Sequence, residues 1–234
     1  MAKRPVVLIA GIAEGLGAAQ AEAFAAAGHD VLGLARSERS KALTAGRVEA
    51  AGGAYAHALC DLADAGQVAA VIRGWEERVA VLIHNAQALF MAPFERTTSA
   101  DFERVWRMGC RGAAVIASRL LPEMAARGRG AALFTGATAS LRGGPSFAAF
   151  ASAKFALRGL AQALAREYAP SGVHVVHVVI DGLIEGPKTD ARFGPAVSGR
   201  MDAAALARTY LHLALQERSA WTHEVDLRPS GEKF

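Results

Sequence analysis

Residues 6–17, near the start of the chain, read VVLIAGIAEGLG. Val6–Ala10 is a short apolar run of the kind that forms a buried strand, and a helical pattern opens soon after it. Glycines at this junction permit a tight turn, let the backbone approach a phosphate, and allow the helix to pack closely on the strand. The start of the helix adds free amides and a partial positive charge. A dinucleotide-binding loop is therefore favoured over a purely structural turn. The loop residues predicted to hold the cofactor are Gly11, Ala13, Glu14, Gly15, Leu16 and Gly17.

Short apolar runs alternate with longer helical patterns along the rest of the chain. Glycine or polar residues bound these runs, as they bound buried strands. The predicted strands are Val6–Ala10, Val31–Ala35, Ala54–Leu59, Val79–His84, Ala131–Thr135 and Val173–Ile180, with a last strand near Trp221–Leu227. The predicted helices are Leu16–Ala27, Ser40–Ala51, Ala65–Glu77, Ser99–Ala126, Ser146–Tyr168 and Ala203–Gln216.

The fold class that this alternation predicts is α/β, a single-domain Rossmann fold. Continuous apolar strands between helices indicate a doubly wound parallel sheet of about seven strands with helices on both faces. All 234 residues are assigned to one domain, 1–234, because nothing resembles an interdomain linker or a repeat. Segment 185–200 contains Gly and Pro and follows the sixth strand, where a loop over the substrate is expected.

Composition excludes several classes of protein. Hydrophobic residues make up 52% of the chain, and the net charge of +4 comes with scattered arginines instead of a basic patch. Nucleic acid is therefore not an expected partner. No apolar run reaches the roughly 18 residues of a membrane span, so no membrane is expected either, and no metal site is predicted. Cys60 and Cys110 lie in apolar runs and fit a reduced intracellular protein, which predicts a cytoplasmic location.

The end of the second predicted strand bears on which dinucleotide binds. A carboxylate there favours NAD, because it binds the ribose 2′-hydroxyl, whereas arginine accommodates the 2′-phosphate of NADP. This chain has Arg36 and Ser37 at that point and no acid. Glu14 in the glycine loop would oppose a phosphate nearby, and Arg36 could also be an ordinary surface residue. NADP(H) is the predicted cofactor, ahead of NAD(H).

Further residues follow the later strands. Asp61 follows the third, His84-Asn85-Ala86-Gln87 follows the fourth, and Lys154 lies on the long helix before the sixth. Together with the glycine loop, they resemble the short-chain dehydrogenase/reductase family over residues 6–182 or so. The resemblance implies a Rossmann domain, assembled as a dimer or tetramer, that moves hydride between a nicotinamide and an alcohol or carbonyl carbon.

The resemblance also implies roles for individual residues. Asp61 would accept a hydrogen bond from the adenine amino group, with Leu62 beside it. Asn85 and Ala86 would border the adenosine ribose, and Lys154 would bind the hydroxyls of the nicotinamide ribose.

Three of the residues near these strand ends have ordinary structural alternatives. Asp61 suits a turn or a helix start, and Asp64 suits a helix start at least as well. Asn85 suits a turn. His84 fits a satisfied histidine at the end of a buried strand.

The chain departs from the family at the catalytic positions. Of the usual Asn, Ser, Tyr and Lys, only Lys154 is retained; Gly109, Ala137 and Phe150 stand at the other three positions. Phe150 lies one helical turn before Lys154, where a tyrosine would share a proton with the substrate, and phenylalanine has none to share. The usual Thr of the glycine motif is Ala10, and the usual Gly after Asn-Ala is Gln87.

Other groups could replace the missing proton donor. Asp181 stands where the family has Pro, and surrounding Phe and Ala residues could raise its pKa and keep it protonated. Its alternative is a plain Asp-Gly turn. Ser146 lies one turn before Phe150, and its alternative is a helix N-cap. Thr138 and Ser140 are further candidates.

The favoured function is an NADP(H)-dependent oxidoreductase with a non-standard site for a small apolar substrate. The alternatives are a catalytically inactive NADP(H)-binding sensor and a structural partner subunit. A homodimer or homotetramer is expected through the fourth and fifth predicted helices, Ser99–Ala126 and Ser146–Tyr168; the alternative for their small faces is packing within the chain. Those faces are Ala113, Ala114 and Ala117 on one helix and Ala149, Ala153 and Ala156 on the other. The residues expected to form an apolar pocket are Phe90, Met91, Phe94, Phe147 and Phe150.

Overall fold

The computed structural model describes residues 4–195 and 199–231. Seven strands form one sheet in which every neighbouring pair is parallel. They are β1 Val6–Ala10, β2 Asp30–Ala35, β3 Tyr55–Leu59, β4 Val79–His84, β5 Gly130–Thr135, β6 Val173–Ile180 and β7 Glu224–Leu227. Their order across the sheet is β3-β2-β1-β4-β5-β6-β7. The predicted doubly wound parallel sheet is confirmed.

The helices connect these strands and cover both faces of the sheet. They are α1 Leu16–Ala26, α2 Lys41–Ala50, α3 Ala65–Ile72, α4 Ser99–Trp106, α5 Gly112–Ala126, α6 Ala148–Tyr168, α7 Pro187–Phe193 and α8 Ala203–Ala214. Helices α3, α5 and α6 pack on one core, which contains Leu8 of β1. Helices α1, α2 and α8 pack on the opposite core, which contains the neighbouring Val7 and Ile9. Alternate side chains of a strand point to opposite faces, so one apolar strand serves both cores.

Two of the predicted helices differ most from the observed ones. The predicted helix Ala65–Glu77 ends at Ile72, because Gly74 adopts a φ of 84°, outside the helical region. The predicted helix Ser99–Ala126 is interrupted by a π-helical turn, Arg107–Arg111, between α4 and α5. Helical periodicity does not distinguish a π turn from an α turn within a continuous run.

Two further predictions near the substrate end were wrong in detail. Helix α6 begins at Ala148 and not at Ser146, and its N-cap position is Phe147, which makes no side-chain capping bond. The segment 185–200 is not loop throughout, since it contains α7; residues 196–198 of that segment lie outside the described residues.

The sheet order places the candidate site. Strands β1 and β4 are neighbours, and the chain proceeds from β1 towards β3 on one side and from β4 towards β7 on the other. Ligands of doubly wound sheets bind at the carboxyl ends of the strands at this reversal. The ends of β1, β2 and β4 carry Gly11, Arg36 and Asn85, respectively.

Candidate functional site

The turn after β1 is shaped by glycines that close neighbours require. Gly11 has a φ of 84°, and a Cβ added there would lie 2.8 Å from the backbone of Ala86. A Cβ on Gly17 would lie 3.1 Å from the Cα of Ile12, so this glycine lets α1 approach the loop. The amides of Ala18 and Ala19 donate to the carbonyl oxygens of Ala13 and Gly15. The first amides of a helix have no carbonyl partner within it and point out of its N-terminal end. Such a turn at the start of a helix can bind a phosphate group, and this role of the loop stays a prediction.

A cavity of about 770 Å³ opens beside this loop, at the carboxyl ends of β1, β2 and β4. It joins two regions that lie far apart in sequence, the glycine loop and the end of β2. The predicted cofactor residues that line it are Gly11, Ala13, Glu14, Arg36, Ser37, Leu62, Asn85 and Ala86.

The other predicted residues lie outside this lining. Gly15 borders a neighbouring groove between α1 and α8. The remaining residues outside the lining are Leu16, Gly17, Asp61, Lys154, Gly109, Ala137, Ser146, Phe150 and Asp181.

Sequence reasoning missed several residues that line the cavity. Arg39 and Ser40 follow the predicted Arg36-Ser37 pair, and extending the search past the end of β2 would have found them. Lys188 and Arg192 come from α7, within segment 185–200, which was predicted to lie over the substrate and not at the cofactor. The other missed lining residues include Cys60, Gln87, Leu89, Met108, Thr189 and Phe193.

The two aspartates after β3 have turn and capping contacts. The Asp61 carboxylate accepts a hydrogen bond from the Ala63 amide at 3.0 Å, which is the turn role weighed as its alternative. Asp64 is the N-cap of α3 and accepts bonds from the Gly66 and Gln67 amides, which lower the pKa of its carboxyl. The adenine contact of Asp61 stays a prediction.

Asn85 connects several elements below the cavity. Its amide nitrogen donates to Gln20 Oε1 at 2.6 Å, and its oxygen accepts from Thr135 Oγ1 at 2.7 Å. Thr135 Oγ1 also lies 2.7 Å from the hydroxyl of Tyr210. Asn85 therefore fixes the ends of β4 and β5 relative to α1 and α8, and its turn-forming alternative was wrong.

Lys154, the residue predicted to be retained from the catalytic set, is buried. Its Nζ donates to the carbonyl oxygen of Thr135 at 2.7 Å and forms no ion pair within the part of the chain that the structure describes. Burial disfavours the ammonium form and lowers the pKa of Lys154 to about 7.

His84 lies near this ammonium at the end of β4. Burial first, and the Lys154 charge second, lower the pKa of His84 to about 3. Neither ring nitrogen has a hydrogen-bond partner among the described residues, so the prediction of a satisfied histidine was wrong.

Phe150 belongs to a separate apolar cluster. Its side chain is 5% exposed, and its ring centre lies 6.2 Å from that of Phe147. Phe90 and Ala137 pack against the same cluster, so part of the predicted apolar pocket is assembled. Met91 and Phe94 are instead exposed. Tyr210 does not supply the missing phenol, because it is fully buried and approaches Thr135 from the opposite core.

The π-helical turn holds the third substituted position, Gly109. Met108, Gly109 and Cys110 are buried there, and a Cβ on Gly109 would lie 3.7 Å from the Cβ of Ala153, an ordinary contact. The helix is therefore distorted at Gly109, although the Asn that is usual at this position is absent.

Asp181 has polar neighbours, so the predicted apolar surroundings were wrong. The Thr138 hydroxyl donates to Asp181 Oδ1, and an Arg228 nitrogen lies 3.3 Å from Asp181 Oδ2. The Asp181 amide also donates to Leu227 O at 2.8 Å. Both carboxylate oxygens thus serve as acceptors.

The two serines considered as proton donors lie in different settings. Ser146 has a φ of 66° and precedes α6, so neither its N-cap alternative nor its placement on a helical face with Phe150 is correct. Ser140 is fully buried, and its Oγ accepts from the Ala137 amide at 3.1 Å.

Within residues 4–195 and 199–231, no group of three or more His, Cys, Asp or Glu side chains could hold a metal ion. In the same ranges, no helix has both the length and the apolar character that crossing a membrane requires.

Comparison with known proteins places this geometry in context. A family model described as short chain dehydrogenase matches residues 5–192. A crystal structure of a short-chain dehydrogenase from Rhodopseudomonas palustris is 37% identical, covers 96% of this chain and 98% of its own, and superposes with a TM-score of 0.84.

Two more distant proteins also resemble this chain, one in sequence and one in structure. Galactitol 2-dehydrogenase from Agrobacterium fabrum is 29% identical over 185 residues, which are 77% of this chain and 71% of that protein. A metagenomic short-chain oxidoreductase in complex with NADP has a TM-score of 0.84 at 23% identity, covering 97% of this chain and 98% of its own. At that identity the likeness shows the fold alone.

Proposed function

Because the chain belongs to the short-chain dehydrogenase/reductase family, we propose that it binds NADP(H) and transfers hydride to or from a small apolar substrate in an active site of unusual composition. One observation carries the proposal. The glycine loop and the arginine-bearing end of β2 line the same cavity, so one nucleotide could contact both.

The charges around the cavity favour NADP over NAD. Arg36 and Arg39 lie at the adenosine end with Ser37 and Ser40, and guanidinium and hydroxyl groups bind phosphate oxygens. Glu14 also lines the cavity and opposes a phosphate, but the cations at this end outnumber it. A structural neighbour with this fold is in complex with NADP, which agrees with the proposal.

Bound nicotinamide would supply or accept the hydride. Lys154 would orient the nicotinamide ribose. Its ammonium has three hydrogen-bond donors, and the Thr135 carbonyl oxygen accepts from one of them. A ribose hydroxyl could accept from another. The apolar cluster around Phe150 would border the substrate and exclude water.

Thr138 and Asp181 are the proposed proton-handling pair. In alcohol oxidation, the substrate hydroxyl would pass its proton to Thr138 Oγ1 while Thr138 passes its own to Asp181. The observed bond from Thr138 to Asp181 has the direction that this transfer needs. Arg228 balances the charge of Asp181 in the resting state.

A nucleotide-binding protein without catalysis is the second candidate. It is favoured by the buried Phe150 and by Lys154, whose ammonium is engaged by a backbone carbonyl. In this role Lys154 would chiefly hold the end of β5.

Two measurements test these functions in sequence. Fluorescence titration with NADPH and NADH asks whether either nucleotide binds; binding of neither would leave the role of a structural partner subunit. If NADPH binds, its consumption is followed with ketones, enals and imines. Consumption supports the enzyme, whereas binding without turnover of any of these supports the sensor.

We also propose a homodimer or homotetramer that associates through α4 and α6. Trp106 and Phe155 are 45% and 44% exposed on these helices. Near Trp106, a groove of about 260 Å³ is floored by Ala149 and Ala153. By contrast, Ala113 and Ala117 are buried in the core, as the intramolecular alternative states. The cytoplasm is the proposed location, since Cys60 and Cys110 are buried free thiols.

A further inference from the structure

Helix α7 contributes two cations to the lining of the cofactor cavity. Lys188 and Arg192 both line this cavity, and residues four apart lie on one helix face. With Arg36 and Arg39, they place four cations around the cavity against the single carboxylate of Glu14 in its lining.

Contacts on the other side of α7 fix this orientation. Asp190 points away from the Lys188 face and pairs with Arg200, whose guanidinium also donates to the carbonyl oxygen of Gly194. The Arg200 side chain is only 7% exposed, whereas that of Asp190 is 50% exposed. The side of α7 that carries Asp190 is thus held by Arg200, and the side that carries Lys188 and Arg192 lines the cavity.

The base of the α7 segment lies against the phosphate loop. The Glu185 amide donates to Met201 O at 3.0 Å, and the Met201 amide donates to Leu183 O at 2.9 Å, which closes the segment at its base. A Cβ built on Gly15 would lie 4.0 Å from the Glu185 carbonyl oxygen. Lys188 therefore stands three residues beyond the point where this segment faces the start of α1.

We propose that Lys188 and Arg192 bind the pyrophosphate of the dinucleotide, opposite the amides of the glycine loop. This inference rests on the proposed nucleotide binding and adds two ligands to it from α7. The pyrophosphate is common to NADPH and NADH, so these cations bind both nucleotides, whereas Arg36 distinguishes between them.

The test compares dissociation constants for NADPH and NADH, measured by fluorescence titration without any substrate. In the Lys188→Ala/Arg192→Ala double variant, we expect both constants to rise about tenfold, with their ratio unchanged. Charge-conserving exchange, Lys188→Arg with Arg192→Lys, retains affinity within about threefold. Arg73→Ala, an exposed arginine outside the cavity, is the matched control and changes neither constant.

Each outcome is decisive. A double variant that binds both nucleotides like the wild type overturns the inference, and so does a loss confined to NADPH, which would assign the cations to the 2′-phosphate. Wild-type protein that binds neither nucleotide overturns the proposed function itself, a result distinct from either. Salt provides a second readout, since raising ionic strength screens the contacts and must weaken the wild type more than the double variant.

Discussion

The Lys154 ammonium lies 5.8 Å from the centre of the Phe150 ring, one helical turn away on the same face of α6. A cation at this distance from an aromatic face is attracted by the ring quadrupole. Phe150 thus keeps contact with the lysine from the position predicted for a proton-sharing phenol, but it offers no hydrogen-bonding group.

Restoring the two missing hydroxyls should restore carbonyl reduction. In the Phe150→Tyr/Ala137→Ser variant, the phenol would lie near Lys154 and the serine would follow β5. Because one positioned acid contributes about 10²- to 10⁴-fold, we expect NADPH-dependent ketone reduction to rise by at least about a hundredfold. NADPH consumption measures the change. Phe155→Tyr, beside Lys154 but exposed, is the control; bound NADPH without any gain in the double variant contradicts the site assignment.

Lys154 should make stability depend on pH. Its folded-state pKa is about 7 and its ordinary value is 10.5, so between these values the unfolded chain holds a proton that the folded chain has released. The free energy of unfolding therefore rises with pH in this window, by up to about 1.4 kcal/mol per pH unit. Below pH 7 both states are protonated, and this contribution is flat.

Urea unfolding between pH 7.5 and 8.5 measures this effect. Relative to Lys154→Met, the wild type should gain about 1 kcal/mol over that interval. The measurement stops below pH 9 because burial raises the pKa of Cys60 from 9.0 to about 11. Above pH 9 the unfolded chain loses a thiol proton that the folded chain keeps, which lowers the free energy of unfolding. Parallel curves for the two proteins would show that folding does not lower the pKa of Lys154.

Gly11 should tolerate no side chain. Gly11→Ala places a methyl 2.8 Å from the Ala86 backbone at a φ of 84°, so we expect a loss of about 1–3 kcal/mol in the free energy of unfolding and loss of NADPH binding. Gly46→Ala is the control: it lies within α2 with nothing within 4 Å, and alanine there should stabilise by up to about 1 kcal/mol. Equal effects at both sites would contradict a constrained phosphate loop.

Arg36 should determine the preference for NADP(H). Arg36→Ala removes a guanidinium from the adenosine end, and we expect the NADPH dissociation constant to rise about tenfold while that of NADH changes less than about twofold. Arg129→Ala, an exposed arginine in the turn before β5, is the control. An equal rise in the dissociation constants of NADPH and NADH would show that Arg36 does not bind the 2′-phosphate.

Trp106 should contribute to self-association. Trp106→Glu introduces a charge beside the groove between α4 and α6, and we expect the assembly to dissociate at concentrations where the wild type stays associated. Sedimentation velocity measures the change. Leu43→Glu, at an exposed position of α2, is the control. If the Trp106→Glu variant stays associated like the wild type, the interface does not include Trp106.

Local sequence patterns predicted much of the fold. The central strands β1, β4 and β5 are nearly continuous apolar runs because both faces of the sheet are covered there, and this pattern is visible without knowing any partner. Boundaries were less accurate where a local backbone feature intervened, as at Gly74 after α3 and at the π-helical turn before α5.

The amino-acid sequence by itself determined the sheet, the glycine loop and the absence of a phenol at Phe150, since these depend on residue type and short-range spacing. Only the tertiary structure decided which distant groups meet: Asp181 with Arg228, Lys154 with the Thr135 carbonyl, and Lys188 with the glycine-loop cavity. Such contacts join residues far apart in the chain, and their energies depend on burial and direction, which no local pattern contains.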